Sequence, residues 1–247
     1  MLKYILLGVI QGVTEFLPVS SSGHLVVMQK LLGINENLMA VPIVLHLGTG
    51  FSLIVFFFKD IIRLLRDIKS LSLIVVVSVI TGIIGIAGKD FFESLFSSLK
   101  SVAIALIFTG IILILTKKFK HDQRQEVNFK DALALGFAQG LAIIPGISRS
   151  GITISTLLFR KLGREVSFRF SFLASLPAVF GATLLEAKKI GYVLQFNLAD
   201  LAIGFLTSFL VGLLSLWVLR LFLRKDKFYY FGYYCIFIAV IIFLFVK

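Results

Sequence analysis

The chain has 247 residues, of which 58% are hydrophobic, only 15% are charged, and 26 are phenylalanine. This composition, with a mean hydropathy of +1.01 and a single cysteine, excludes a soluble globular domain, a disordered chain and a disulfide-linked secreted scaffold. The formal charge of +12 is assigned to cytoplasmic loops, which are enriched in Lys and Arg, rather than to nucleic-acid binding. The sequence therefore predicts an all-α integral membrane protein with the bilayer, and no nucleic acid, as its partner.

Six stretches free of Asp, Glu, Lys and Arg are predicted to be transmembrane helices. A bilayer core of roughly 30 Å needs about 20 helical residues, so the shorter stretches must recruit flanking residues to span it. The predicted spans are residues 37–58, 70–88, 101–116, 170–185, 201–219 and 228–246.

Four other apolar segments are too short to cross a bilayer, and they occur as two pairs. Segment 4–17 is joined to 25–32, and segment 132–144 to 152–159, each time through a cluster of Ser, Gly and Pro at 18–23 or 145–151. Pro and Gly break helices, and irregular backbone at membrane depth is tolerated only inside protein or along a wet cavity. Each pair is therefore predicted to form a re-entrant helix hairpin.

The two predicted hairpins share residues at one constant spacing, which indicates an internal duplication. The motif L-G-x-x-Q-G occurs at 7–12 and again at 135–140, and S-x-S-G occurs at 20–23 and at 148–151, always 128 residues apart. One hairpin followed by three spans reverses the side on which the second copy begins. We therefore expect a single membrane domain, 1–247, with inverted-topology halves at approximately 1–125 and 126–247.

The basic residues are distributed unequally between the two predicted sides. Loops 59–69, 117–130, 160–169 and 220–227 hold 17 of the 25 Lys and Arg residues, against 7 on the opposite side. Because cytoplasmic loops carry the excess of positive charge, both termini are predicted to lie outside.

Two ionisable residues lie in the hairpins, Glu15 in the first and Arg149 in the second. Ionisable groups at membrane depth are costly and mark function by default, although a purely structural Glu15–Arg149 ion pair is the alternative. His24 could equally be a packing residue, and Gln11 an interhelical hydrogen-bond partner. His46 lies inside the first predicted span, and the sequence does not decide whether it faces a cavity.

These residue types suit a phosphorylated, lipid-soluble substrate. Arginine binds phosphate oxygens with a bidentate fork, and Gly-rich helix starts bind anions. A Ser near a His can be an activated nucleophile, and a carboxylate can orient the base or hold a divalent cation. A transporter or flippase for an anionic lipid or solute would fit the inverted repeat equally well, but it would not need the nucleophile–base pair Ser21-x-x-His24.

Two segments resemble a known family. Residues 11–24, Q-G-V-T-E-F-L-P-V-S-S-S-G-H, and 145–153, P-G-I-S-R-S-G-I-T, resemble the two signatures of the undecaprenyl-diphosphatase (bacitracin-resistance) family. The resemblance implies hydrolysis of undecaprenyl diphosphate to undecaprenyl phosphate and inorganic phosphate, which recycles the lipid carrier for cell-wall synthesis and confers bacitracin resistance. It also implies a multi-pass protein of the cell membrane, an active site open to the outer face, and a divalent metal, Mg²⁺ or Ca²⁺. Whether the chain forms a homodimer stays open.

The resemblance also assigns roles by motif position. Ser21 is expected to be the nucleophile, His24 the acid or base, and Arg149 the clamp on the diphosphate. Glu15, with Gln11, is expected to activate the nucleophile or bind metal, although many members of the family have Glu where this chain has Gln11. The residues expected to bind phosphate are Ser20, Ser22, Gly146, Ser148, Ser150 and Thr153.

Overall fold

The computed structural model describes residues 1–25, 40–96, 98–119, 124–186 and 197–245, and in these ranges the fold is helical, with no strand beyond one isolated bridge. The helices in chain order are α1 (Leu2–Phe16), α2 (Ala40–Phe56), α3 (Phe58–Arg66), α4 (Ile68–Ala87), α5 (Lys89–Phe96), α6 (Leu99–Leu115), α7 (Phe129–Leu141), α8 (Arg149–Phe159), α9 (Arg164–Glu186), α10 (Leu198–Arg224) and α11 (Tyr230–Phe245).

Four helices are long and apolar enough to cross a membrane: Ile68–Ala87, Leu99–Lys118, Arg164–Thr183 and Leu198–Arg224. A fifth span is formed if α2 and α3, which meet at a bend of 70°, are taken together. The last predicted span corresponds to α11, whose 16 residues cover only about 24 Å at 1.5 Å per residue. The structure thus confirms a multi-pass helical membrane protein with four or five spans by length, and the count of six stays a prediction.

The predicted short helices are present where the structure describes them. α1, α7 and α8 correspond to the segments 4–17, 132–144 and 152–159, and each ends or begins at a Ser/Gly/Pro break. Residues 21–25 resume a helix after the first break. The rest of the predicted segment 25–32 lies outside the described residues.

The repeated glycines allow two pairs of helices to pack closely. A Cβ at Gly12 would lie 2.9 Å from the backbone of Gly212 on α10, and one at Gly140 would lie 2.5 Å from Ile84 on α4. α1 packs most extensively against α10, as α7 does against α4. Small residues let membrane helices approach in this way, so the motif L-G-x-x-Q-G has a packing role in both copies.

The interior between these helices is filled by aromatic rings. Phe16 of α1 packs edge-on against Phe172 of α9, with ring centroids 5.8 Å apart, and Phe57 at the α2–α3 bend contacts Phe168 and Phe172. Edge-to-face pairs of this kind stabilise a packed core beyond the area they bury. The cluster fixes α1 against the bend and α9, beside the end of α1 that carries Glu15.

Ion pairs join the four Lys- and Arg-rich loops to one another, which shows that these loops lie at the same end of the molecule. Arg169 of the third loop is 2.5 Å from Asp60 of the first, and Lys69 of the first is 3.3 Å from Glu126 of the second. The fourth loop is joined to the third by Arg220–Glu165 and Arg164–Asp226.

The start of α7 and the end of α8 are tied together at the same end. Asp131, fully buried, accepts hydrogen bonds from Arg124 at 2.6 and 2.9 Å and from Arg160, and it completes a capping box with Asn128. Burial alone would raise the pKa of Asp131, but the hydrogen bonds from Arg124, the Asn128 backbone and Arg160 hold it below its usual value. The Asp131 carboxylate therefore joins the start of α7 to the end of α8, at the end of the second hairpin that is opposite its tip.

Candidate active site

The two hairpin tips touch each other inside the molecule. A Cβ at Gly23 of the first tip would lie 3.4 Å from Gly146 Cα of the second, and one at Gly151 would lie 3.3 Å from Pro18 Cβ. These distances are at or just below ordinary van der Waals contact, so the two helix breaks lie directly against each other.

Two of the predicted phosphate-binding serines cap the helices that follow the breaks. Ser20 Oγ accepts a hydrogen bond from Gly23 N at 3.3 Å, and Ser148 Oγ accepts one from Gly151 N at 3.2 Å. Each lies 3.3 Å from the hydroxyl two residues later, Ser22 or Ser150. Equivalent serines thus do the same structural work in both hairpins, which is the usual role of Ser at a helix start.

Neighbouring helices hold both tips in place. Gly146 has a φ of +98°, and a Cβ there would lie 2.4 Å from Val102 O on α6, so only glycine fits. Thr109 of α6 donates to Gly146 O at 3.0 Å and accepts from Ser148 N at 3.1 Å. On the first tip, buried Cys235 of α11 donates to Pro18 O at 3.3 Å, which makes it a packing residue.

Glu15 is the centre of the site, and it joins the two hairpins. Arg149, the first residue of α8, donates from Nη2 to Glu15 Oε1. Ser21 Oγ donates to Glu15 Oε2 at 2.7 Å, and Gln11 Nε2 donates to the same oxygen at 3.2 Å. The side chain of Glu15 is only 7% exposed and that of Arg149 22%. The structure therefore brings Ser21, Glu15, Gln11 and Arg149 into one cluster.

His46 of α2 also faces this cluster. Its Nδ1 lies 2.8 Å from Pro42 O, which can only accept, so Nδ1 carries a proton and Nε2 is directed at Glu15 Oε2, 3.7 Å away. The only sequence signal for this position was a histidine within a stretch otherwise free of ionisable residues.

The structure does not bring His24 to Ser21. Its Nδ1 donates to Ser20 O at 2.9 Å, and its Nε2 accepts from Tyr234 Oη of α11, also at 2.9 Å. The two rings are parallel, with centroids 5.8 Å apart. Both ring nitrogens are thus engaged by partners other than Ser21 and Glu15, and sequence reasoning did not find Tyr234 at all.

A cavity of about 370 Å³ opens beside Glu15. The predicted site residues that line it are Glu15, Ser20, Ser21, Ser22, Ser148 and Arg149. Within the described part of the chain, the other predicted site residues do not line it: Gln11, His24, Gly146, Ser150 and Thr153. Thr153 instead donates to Arg149 O at 2.6 Å and shares a hydrogen bond of 2.7 Å with Ser171 of α9. It orients the residue that carries the guanidinium.

Part of the cavity wall is apolar. It includes Ala142, Ile143, Ala178, Val179 and Ala182. A mostly apolar pocket with a few convergent polar groups is typical of a site for an amphipathic ligand. This wall adjoins the polar cluster on a molecule whose outer helix faces are apolar, with Ile83 of α4 61% exposed.

The implied divalent cation does not fit the site as the residues are arranged. Mg²⁺ and Ca²⁺ take several oxygen ligands, from carboxylates, carbonyls and water, and no group of three His, Cys, Asp or Glu residues exists among the described residues. Both oxygens of Glu15 already accept hydrogen bonds, one of them from the guanidinium of Arg149.

One buried oxygen near Glu15 is without a hydrogen-bond partner in the described ranges, Gln11 Oε1, but so is Gln139 Oε1. Gln139 is the equivalent residue of the other half, and position 143, which corresponds to Glu15, is an isoleucine. The unpartnered amide oxygen therefore occurs at the equivalent position of both halves, and Gln139 lines the same cavity as Glu15.

Comparison with known proteins identifies the family. The family model described as "Bacitracin resistance protein BacA" matches residues 4–241. A relative from Halothermothrix orenii named "Undecaprenyl-diphosphatase" is 42% identical over 97% of this chain and 96% of its own length. Proteins of the same name from Alkaliphilus metalliredigens, 42% identical over 98% of each chain, and Thermotoga petrophila, 40% identical over 97% of this chain and 98% of its own, agree. The chain therefore belongs to the bacitracin resistance protein BacA family.

Proposed function

We propose that this chain is a membrane phosphatase that hydrolyses undecaprenyl diphosphate to undecaprenyl phosphate and inorganic phosphate. The observation that carries the proposal is the contact of Ser21 and Arg149 with the two oxygens of one buried carboxylate, Glu15, beside a cavity. The names of the relatives support the same reaction. The product is the lipid carrier that cell-wall synthesis uses again, and bacitracin resistance follows from this recycling.

The polar cluster supplies what phosphoryl transfer needs. Arg149, at the N-terminus of α8, offers a guanidinium beside backbone N–H groups, and both favour phosphate oxygens. Ser21 Oγ attacks the terminal phosphorus while its proton passes to Glu15 Oε2, 2.7 Å away. The bond from that phosphorus to the bridging oxygen breaks, and undecaprenyl phosphate leaves with the electron pair.

Water completes the reaction. A water molecule attacks the phosphorus of the phosphoserine, and the bond from that phosphorus to Ser21 Oγ breaks. Glu15 returns its proton to Ser21 Oγ, and inorganic phosphate leaves with both hydrogens of the water. Direct attack by water positioned by Ser21 is the alternative, and capture of a phosphoserine in an acid-quenched reaction distinguishes the two.

His24 has a different role here from the acid or base role that its motif position implies. Glu15, rather than His24, is the group in contact with Ser21, so we assign the first proton transfer to Glu15. We propose that His24, held by Tyr234 and Ser20 O, positions the first tip. His46 provides the imidazole nearest to the reacting groups.

The reciprocal helix packing supports six spans in two inverted halves. α1 packs on α10 and α7 on α4, and α4 and α10 occupy equivalent places in the two halves at the 128-residue spacing. The bent α2–α3 pair and α11 are the two remaining spans. The four ion-paired basic loops form the cytoplasmic end, which leaves both termini and the opening of the cavity on the outer face of the cell membrane.

Release of inorganic phosphate by the purified protein tests the function. Protein in detergent is given undecaprenyl diphosphate, with a Ser21→Ala variant purified in parallel as the control. Phosphate release by the parent chain and not by the variant supports the proposal. A parent chain that binds the lipid but releases no phosphate contradicts it and favours a transporter.

A further inference from the structure

α2 and α10 lie side by side and run in the same direction. A Cβ at Gly48 would lie 2.6 Å from Phe205 O, and one turn later Ser52 Oγ donates to Phe209 O at 2.7 Å. Because the contact advances by one turn on both helices, the two helices reach the same end of the molecule together. That end carries the four basic loops.

The outward faces of these two helices are apolar up to this end. Val55 of α2 and both Leu214 and Trp217 of α10 are more than half exposed. Trp217 is the only tryptophan of the chain, and tryptophan is enriched at the level where the bilayer core meets the lipid headgroups. The surface formed by α2 and α10 therefore suits acyl chains, and its end lies at the level of a headgroup.

A cavity of about 430 Å³ opens at the bend between α2 and α3. Val55 and Phe58 line its apolar part, so the apolar face of α2 continues directly into it. Among the described residues, it shares no lining residue with the cavity beside Glu15. Its charged lining residues come from α3, α9 and α10, and they are Lys59, Asp60, Arg63, Arg169 and Arg220.

The single carboxylate of this lining is shared between two arginines. Asp60 lies 2.5 Å from Arg169 and 3.5 Å from Arg63. Lys59, the residue before Asp60, has no carboxylate partner in the part of the chain that the structure describes. Positive charge therefore exceeds negative charge along the lining.

A second carboxylate, Glu165 of α9, does not remove this excess. Glu165 pairs with Arg220 and lies 3.3 Å from Arg224. The two carboxylates thus serve four arginines, and with Lys59 these residues carry five positive and two negative charges, a net charge of +3. An anion in the cavity would reduce the repulsion among the cations.

From this arrangement we infer that the cavity binds the phosphate group of an anionic phospholipid, whose acyl chains lie along the exposed faces of α2 and α10. Lys59, Arg169 and Arg220 supply the donors. Arginine binds phosphate with charge-assisted hydrogen bonds, and basic pockets between transmembrane helices bind anionic headgroups. A soluble phosphate would contact the cations alone, whereas a lipid also covers Val55 and Trp217, so the continuity of the two surfaces favours the lipid.

A lipid held in this way joins three helices at the α2–α3 bend. Its phosphate connects α3, α9 and α10, while α2, which carries His46 beside Glu15, ends at the same bend. Binding of this lipid needs no turnover, so it is independent of the proposed phosphatase activity.

Quenching of Trp217 fluorescence tests the site, because no other tryptophan contributes to the signal. The full-length protein is reconstituted into phosphatidylcholine vesicles that contain a minor fraction of phosphatidylglycerol. Bromine atoms, which quench a tryptophan that they contact, are placed on the chains either of the phosphatidylglycerol or of an equal amount of the phosphatidylcholine. Both sets of vesicles have the same surface charge, so the stronger quenching that we expect from brominated phosphatidylglycerol reports local enrichment of the anionic lipid.

Substitutions of Lys59 change the charge of the cavity without removing an ion pair between described residues. We expect Lys59→Gln to lower the preference for phosphatidylglycerol about fivefold and Lys59→Glu about 25-fold, since each unit charge near an anionic lipid changes the affinity by about fivefold. Lys130→Gln and Lys130→Glu are the matched controls, because Lys130 is exposed in the second basic loop and does not line the cavity. They should leave the preference unchanged.

Equal quenching of the parent chain by the two brominated lipids would overturn the proposal. A preference that persists in Lys59→Glu, or that falls equally in the Lys130 variants, would overturn it as well. Each variant is checked by gel filtration, and Lys59→Gln decides the matter if Lys59→Glu does not fold. Inorganic phosphate, compared with chloride at the same ionic strength, should not reduce the preference. If phosphate abolishes it, the cavity binds a soluble phosphate and the assignment to a lipid is wrong.

Discussion

Replacement of Arg149 separates its chemical role from its structural one. In Arg149→Lys the positive charge near Glu15 is kept, but the planar fork that binds two phosphate oxygens is lost. One charge-assisted hydrogen bond contributes about 1.5–3 kcal/mol, and each 1.36 kcal/mol corresponds to about tenfold in rate. We therefore expect kcat/KM to fall by about 10- to 150-fold while the melting temperature in detergent changes little.

Arg149→Leu goes further because it leaves a carboxylate that is 7% exposed without its cation. Removing one partner of a buried pair costs about 3–5 kcal/mol, whereas replacing both partners by apolar residues is often neutral. The single variant should therefore melt at a much lower temperature, and Glu15→Leu/Arg149→Leu should recover most of the loss. If Arg149 binds substrate, the double variant stays inactive although it folds.

The assay is phosphate release from undecaprenyl diphosphate, with the melting temperature measured on each preparation. Arg63→Lys is the matched control, since Arg63 is 70% exposed and its ion pair with Asp60 is 3.5 Å long; it should change neither quantity. A folded Glu15→Leu/Arg149→Leu protein that releases phosphate at the parental rate would refute the catalytic role and leave a purely structural ion pair.

Three further predictions concern the nucleophile, the closed hairpin and the topology. Ser21→Ala should lower kcat by at least about 10²-fold, whereas Ser22→Ala, which removes a hydroxyl that does not contact Glu15, should retain most of the activity; equal mild losses would contradict a nucleophile. Asp131→Asn should destabilise the protein by about 2 kcal/mol or more, because it removes the buried negative charge between two arginines and replaces one of the two accepting oxygens by an NH2 donor. Since the folded pKa of Asp131 lies below its usual value, its stabilisation is present above about pH 4 and lost as the pH falls through the folded pKa; a melting temperature of Asp131→Asn equal to the parent's at pH 7 would contradict this. Gln125→Cys should be protected from an impermeant thiol reagent in intact cells and labelled after lysis; labelling in intact cells would reverse the proposed orientation.

Local features of the sequence predicted much of the fold. The helix breaks follow from Pro18, Pro145 and the neighbouring glycines, because these residues interrupt helices wherever they occur. The meeting of Glu15 and Arg149 could also be anticipated, since a charge at membrane depth needs a compensating group. The bend of 70° after α2 could not be predicted, because Phe57 at this bend packs against Phe168 and Phe172 of α9, more than 100 residues further along the chain.

By itself, the sequence determined that this protein lies in a membrane, breaks its helices twice, and carries one carboxylate and one guanidinium at those breaks, because composition and helix-breaking residues act locally. Only the tertiary structure decided which histidine faces Glu15. Spacing places His24 three residues after Ser21, yet it bonds to Tyr234, 210 residues further along the chain, while His46 turns to Glu15. The position of a residue in the helical period fixes the direction of its side chain around the helix, but the partner it meets depends on the helices that pack there, which come from other parts of the chain.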